Sequence, residues 1–505
     1  MSVVLSLIVF LPAVVAAALL CVPSRVPGRV FVGTWIATGL ADLGLIVAVW
    51  TGLPASGGFS FEERLPWIPS AGISYHVGVD GLSLPLLALT AVLFTACAVF
   101  ALRETRRVKA YVVLFLGLQT VCLGVFVALD LILFFLFFDL SIVAMYFLIA
   151  GWGHGERGRA AALKFFLYTF LGSLALLLGF IVVFLAADPH TFDIPTLVTA
   201  NPLAGGGAAA GLALLAIGIG LAVKTPTVPF HTWLPPAHTE APATGSAILA
   251  GVLLKMGTYG FVRIAMPILP ATWRDYALVV VVVGVVSVVY GALVALAQTD
   301  VKRMIAYTSI NHMGYVLLGV GAAGLAPGTD EQARQLATTG AVTQMVSHGL
   351  ITGALFLLTG VLHDRGHTYD MGAYSGLSAR TPRFAGLFAV AAFASLGLPG
   401  FSGFIAEFQI LTGALAPAPI PTAVAVTGIV LTAALFLVAL QRLFLGPLRI
   451  PDAPGAPRPF ADLHAGEALA IVPLLVLATV IGLAPRFLLD VIEPAARTLN
   501  QLVAR

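Results

Sequence analysis

Across 505 residues the chain is 59% hydrophobic and only 10% charged, with a formal net charge of +3 and a mean hydropathy of +1.02. Those values exclude a soluble globular domain and describe an integral membrane protein, with no nucleic-acid partner expected. The three cysteines, Cys21, Cys97 and Cys122, stand singly in apolar sequence with no CxxC spacing, so neither iron–sulfur ligation nor a disulfide framework is expected.

Apolar stretches of about 20 residues, enough to carry a helix across a roughly 30 Å hydrocarbon core, recur from end to end. Fourteen spans are predicted, at 3–21, 30–52, 81–102, 109–129, 131–151, 161–187, 211–233, 243–266, 276–298, 303–325, 338–362, 384–412, 421–445 and 467–489. The reading is an all-α polytopic membrane protein forming one domain over 1–505. The first span has no basic n-region and no convincing cleavage site, so it reads as a retained helix and not a signal peptide.

Ionisable residues inside such spans cost roughly 2.5–3.5 kcal/mol each on insertion scales, so each needs a partner or a task. The fifth span, "LILFFLFFDLSIVAMYF", carries Asp139 about 12 Å deep at the helical rise. At its end "GWGHGERG" (151–158) contains a GxGxxG, which follows a membrane helix instead of a strand and is read as a decoy. Lys164 lies near enough to the end of the sixth span to snorkel to the surface.

The seventh span closes with "LAVKTPTVPFHTWLP" (221–235), where Lys224 precedes Pro226 and Pro229. Those prolines remove backbone donors, and broken helix at membrane depth is tolerated where protein covers it or it lines a water cavity. The eighth span holds Lys255 in "ILAGVLLKMGTYG", the tenth His312 in "TSINHMGYVLL" and the eleventh His348 in "TQMVSHGLITG". Histidine, with an unperturbed pKa near 6.5, is suited to loading and unloading protons near neutrality. His363 and His367 in "HDRGHTY" have a spacing that could ligate metal but read as a solvated loop. The twelfth span has a second break, "SLGLPGFSGF" (395–404), followed by Glu407.

Interrupted helices five spans apart are the sequence sign of an inverted-repeat transporter with its ion path near the breaks. The units are then helices 1–3 over 1–102, a first five-helix repeat over 109–266, a second, inverted repeat over 276–445 and a C-terminal helix over 467–505. Loops on one side hold 16 Lys/Arg, Lys302 and Arg303 among them, and those on the other 7. Positive charge favours the cytoplasm, so both termini should face outward.

Several stretches, "VGVDGLSLPL" (77–86), "FHTWLPPAHTEAPATGSAILAGVLLKMGTYGFVR" (230–263), "DVKRMIAYTSINHMGY" (300–315), "SHGLITGALFLLTG" (347–360) and "SLGLPGFSGFIAEF" (395–408), closely resemble the M-type antiporter-like membrane subunits of proton-pumping NADH:quinone oxidoreductase, respiratory complex I. The resemblance implies a proton relay in which Asp139 stands for the fifth-helix carboxylate, Lys224 for its seventh-helix partner, Lys255 for the central lysine and Glu407 for the carboxylate at the outer exit. His312 and His348 match histidines of the central axis, and His231 and His238 match motif histidines near the cytoplasmic end of the broken helix, where either proton entry or structural hydrogen bonding is implied. Aspartate at 139 departs from the family's glutamate and is one methylene shorter, so a wider pair with Lys224, or a water bridge, is expected. No cofactor or metal site is expected on this chain. FMN, iron–sulfur clusters and quinone would belong to partner subunits, and L-type and N-type antiporter-like subunits in a bacterial plasma membrane would be its neighbours. A subunit of a multi-chain cation/proton antiporter or membrane-bound hydrogenase, and a non-pumping scaffold, are the alternatives.

Overall fold

Because no water in the bilayer core can bond backbone N–H and C=O groups, each crossing segment must satisfy them internally, and the predicted spans are helices. The computed structural model describes residues 3–153, 155–325, 330–451 and 460–504. Among them, α1 (Val4–Cys21) and α2 (Gly28–Gly52) lead to a β-hairpin of β1 (Ser60–Ile68) and β2 (Ile73–Val79), followed by α3 (Leu84–Phe100), α4 (Val108–Val127), α5 (Leu131–Trp152) and α6 (Gly155–Ala186). After the short α7 (Ile194–Ala200) come α8 (Gly207–Lys224), α9 (Leu234–Glu240) and α10 (Ala243–Ile268). Then follow α11 (Pro270–Leu296), α12 (Val301–Leu325), α13 (Glu331–Gly366), α14 (Pro382–Ser395), α15 (Ser402–Leu415), α16 (Pro419–Phe444), α17 (Ala465–Leu483) and α18 (Arg486–Ala504).

Twelve of the described helices are individually long and apolar enough to cross a membrane. The tenth predicted span is α12, whose Lys302, Arg303, Asn311 and His312 lower its apolar content. The twelfth is split into α14 and α15 at residues 396–401.

Burial sorts the helices into two classes. The most apolar windows of α10 and α13 are 100% buried, whereas those of α1 and α16 are 33% buried. In α12, every residue from Met304 to Gly324 is buried. An inner helix packed by protein on all sides can carry polar side chains that lipid would reject, and these three hold Lys255, His312 and His348.

Two features depart from the sequence reading. The segment between the second and third spans, read as a loop in an all-α chain, is an antiparallel hairpin pairing Ser60 with Val79 and Ile68 with Ile73. β2 is fixed against the α4–α5 link, where the Leu129 N–H donates to the His76 carbonyl at 2.9 Å. His76 binds Asp193 at 2.6 Å through Nδ1 and Glu62 at 3.0 Å through Nε2. Burial opposes the charged ring, but the bonds to Asp193 and Glu62 outweigh it and hold its pKa above the ordinary 6.5.

The C-terminal unit, read as one helix, is two. α17 stops at Leu483 and α18 begins beyond Pro485, amphipathic, with Leu488, Ile492, Ala495, Leu499 and Val503 turned inward at helical spacing. Asn500 accepts from Thr338 at 2.8 Å and donates to Gln335 at 3.2 Å, joining α18 to α13.

Candidate functional site

The first break covers residues 225–233, between α8 and α9. Carbonyls freed at a helix end need donors. Trp233 Nε1 supplies one to Val223 O at 2.9 Å. Lys224, the last residue of α8, turns its ammonium to α5, donating to Ser141 Oγ at 2.8 Å and Phe138 O at 3.5 Å and lying 4.7 Å from the Phe138 ring centre.

Asp139 is one helical step away and acts on Lys224 electrostatically. Its Oδ1 is buried and has no hydrogen-bond partner among the described residues. No ion pair joins the two among the described residues.

At the centre, α10 is not regular α-helix, since it winds as π turns at Leu249–Leu253 and Phe261–Ala265 on either side of Lys255. Such bulges recur at functional sites because the wider turn leaves carbonyls accessible. Lys255 Nζ donates to Ala250 O at 2.5 Å and meets His348 Nδ1 at 2.5 Å. The His348 ring lies 5.4 Å from that of His312. His312 Nδ1 receives Gln344 Nε2 at 3.2 Å and faces Glu407 Oε1 at 3.4 Å, while Nε2 meets Ser395 Oγ at 3.2 Å.

Lys255, His348, His312 and Glu407 thus form one line of buried groups from α10 through α13 and α12 to α15. A cavity of about 10 Å³, bounded by His312, Gln344, His348, Thr352 and Glu407, lies along it. That is room for about one water. His348 Nε2, Gln344 Oε1 and Thr352 Oγ1 have no hydrogen-bond partner among the described residues, so polar groups are available around that space.

The second break, 396–401, brings the chain against this line. Gly397, with φ +77°, passes so close to Glu407 that a Cβ there would stand 2.7 Å from Oε2. His238 of α9 is fully buried, stacks on Phe356 at 4.5 Å and has no hydrogen-bond partner for either ring nitrogen among the described residues. His231 lies apart from the central line, edge-on to Tyr290 at 5.0 Å.

Lys302, Asp42 and Arg263 are among the buried polar groups that the sequence reading passes over. Lys302, counted there as a loop cation, is 0% exposed and donates to Ala241 O at 2.6 Å and Tyr369 Oη at 3.3 Å. Asp42 of α2 is buried and accepts from Gln119 at 2.7 Å. Arg263 pairs with Asp80 at 2.5 Å, fastening α10 to the turn before α3. Lys302 is hidden in the sequence by its neighbour Arg303, which is exposed, because adjacent helical residues point about 100° apart. Lys164 is exposed, consistent with snorkelling. The GxGxxG stretch lies at the α5–α6 junction, with residue 154 outside the described residues. His363 stacks on Tyr369 at 4.5 Å.

The family description "NADH:quinone oxidoreductase/Mrp antiporter, TM" matches residues 128–432. The chain is 39% identical over 515 residues to NADH-quinone oxidoreductase subunit M of Rhodobacter capsulatus, covering 98% of this chain and 96% of that one. Among solved structures, it superimposes on a chain of respiratory complex I from Thermus thermophilus with bound NADH, with a TM-score of 0.86, 29% identity and 99% coverage of each chain. It also matches a chain of the Mrp complex from Dietzia sp. DQ12-45-1b, with a TM-score of 0.87, 25% identity and 100% coverage of each.

Proposed function

The chain belongs to the subunit M family of NADH-quinone oxidoreductase, and from that premise we infer that it is the proton-translocating, antiporter-like membrane subunit of that enzyme. NADH oxidation and quinone reduction take place on partner chains, where FMN, iron–sulfur clusters and quinone would reside. The observation that carries the reading is the buried line from Lys255 through His348 and His312 to Glu407.

In the proposed cycle a proton held on Lys255 moves to His348 Nδ1, crosses to His312 through the small polar cavity and leaves by Glu407. Asp139 modulates Lys224 electrostatically, and the broken backbone at Pro226 and Pro229 lets one move relative to the other at little cost. His231 and His238 serve uptake. Residues 109–266 and 276–445 act as two inverted copies, a reading supported by a break in the fourth helix of each. The basic end of the bundle faces the cytoplasm and both termini face outward in a bacterial plasma membrane, with L-type and N-type antiporter-like subunits alongside.

Lys255→Ala tests the relay. In inverted membrane vesicles the variant complex should assemble and oxidise NADH with a soluble electron acceptor, while NADH-driven proton uptake falls several-fold. Full pumping would remove Lys255 from the path. The similarity to the Mrp chain supports a second reading as a cation/proton antiporter subunit, which co-purification without NADH-oxidising chains would favour.

A further inference from the structure

The relay begins at Lys255, in the middle of the protein, and the step that brings protons from the surface to His238 is unassigned. At the basic end a vestibule of about 380 Å³ opens between α6, α9 and α12, lined by Arg157, Lys164, Thr239, Glu240 and Arg303. Its inner wall is Glu240, which is 9% exposed. Beyond that wall lies Lys302, fully buried, its ammonium held by the carbonyl of Ala241 and the hydroxyl of Tyr369 and 4.8 Å from the Tyr369 ring centre. Asp300 and, more weakly, Glu240 on the vestibule side act on Lys302 electrostatically. From the inner side, His238 lies within the fields of both Lys302 and Lys255, and it in turn acts on His348.

We propose that Lys302 is the proton-loading group of this subunit, passing protons from the Glu240 vestibule to His238 and so to Lys255 and His348. The inference rests on the relay reading and extends it to the cytoplasmic surface. Three features support it. A lysine buried without a salt-bridge partner among the described residues costs several kcal/mol as an insertion penalty, which a purely structural position could avoid with a neutral donor. Lys302 lies between the vestibule and the centre, with Arg303, one residue on, facing the vestibule itself. Fully buried His238 has no hydrogen-bond partner at either ring nitrogen among the described residues, so it can accept a proton on one side and release it on the other. In the transfer, the Lys302 ammonium gives one proton to a neutral His238 nitrogen, becomes an amine, and is reloaded with one proton from vestibule water.

The test compares two substitutions in the whole complex. Lys302→Arg keeps the charge and the donor to Ala241 but cannot release a proton, since guanidinium stays protonated at any working pH. Lys302→Gln keeps a donor and carries no transferable proton. Assembly is checked by NADH oxidation with a soluble acceptor and by co-migration of the subunits, and protons taken up per NADH are measured in inverted vesicles beside Lys255→Ala. The proposal expects both Lys302 variants to assemble and to lose several-fold in protons per NADH. Wild-type pumping in an assembled Lys302→Arg complex, with Lys255→Ala impaired, would overturn the loading role and leave the relay standing. Wild-type pumping in Lys255→Ala would overturn the relay itself. Should arginine prove too large for assembly, Lys302→Gln decides alone, and wild-type stoichiometry in that variant overturns the proposal.

Discussion

The two helix breaks hold their charged residues on opposite sides. At the first, Lys224 is the last residue of α8 and precedes the break; at the second, Glu407 is the sixth residue of α15 and follows it. The helix dipole favours the Lys224 cation at the carboxyl end of α8, whereas Glu407, beyond the first turn of α15, lies past its reach and depends on its neighbours instead. The breaks also differ in partnership. Glu407 faces His312 at 3.4 Å, whereas Lys224 bonds to a hydroxyl and a carbonyl and feels its carboxylate only at a distance. The second break is therefore joined to the central line, and the first stands beside it.

The comparison predicts unequal damage. Glu407→Gln removes a proton site from the continuous line and should lower proton uptake per NADH by about tenfold or more, the scale of a lost proton-transfer group. Glu407→Asp should be milder. A Gln variant that pumps normally in proteoliposomes would mean that the outward path bypasses the second break.

Asp139→Asn should have a smaller, several-fold effect, since Lys224 keeps its bonds to Ser141 and Phe138 when the carboxylate is gone. Asp139→Glu should retain activity and close the gap into a direct ion pair, visible as a shorter Lys224–carboxylate distance in a structure of the variant. Equal losses in Asp139→Asn and Glu407→Gln would erase the distinction between the breaks.

The third effect is on stability. Gly397→Ala places a Cβ at a left-handed backbone position and against Glu407, so it should cost about 1–2 kcal/mol or more and lower the thermal unfolding temperature of the complex. Gly218→Ala in α8, where a Cβ meets nothing within 4 Å, should be neutral or stabilising by roughly 0.5–1 kcal/mol. Equal behaviour of the two variants would refute the close approach at the second break.

The smallest effect concerns the hairpin. His76 has its pKa raised in the folded chain, so the stabilisation from its charged form is complete below the unfolded value of 6.5 and is lost as pH rises through the higher folded value. The hydrogen-exchange protection factors of β2, which exclude the intrinsic base-catalysed rise, should fall across that window, and His76→Asn should flatten the dependence. pH-independent protection in the native protein would leave the ring without an electrostatic role.

Much of the site was legible because charge contrasts with apolar sequence. Lys224, Lys255 and Glu407 stand alone among aliphatic neighbours, and proline or glycine marks the breaks nearby. Asp42 offers the same contrast and yet lies outside the line, paired with an amide, so contrast identifies burial and not connection. The hairpin could not be read from hydropathy, since its strand residues include Glu62, Glu63 and Arg64 and its order depends on Asp130 and Asp193 bonding to it from beyond the next helices. The order of the relay was equally hidden. Residues 93 apart in sequence, Lys255 and His348, meet only through the packing of α10 on α13.

The two π turns of α10 carry a consequence for phase. A π turn holds one residue more than an α turn over nearly the same length, so each one resets the angular origin of the downstream residues by about 100°. Lys255 lies between two such resets. Regularising Leu249–Leu253 to α-helix with all five residues kept would carry the ammonium about 100° off the face that meets His348, whereas deleting one of them would leave Lys255 in phase. The proposed relay in this helix is therefore set by winding as much as by composition.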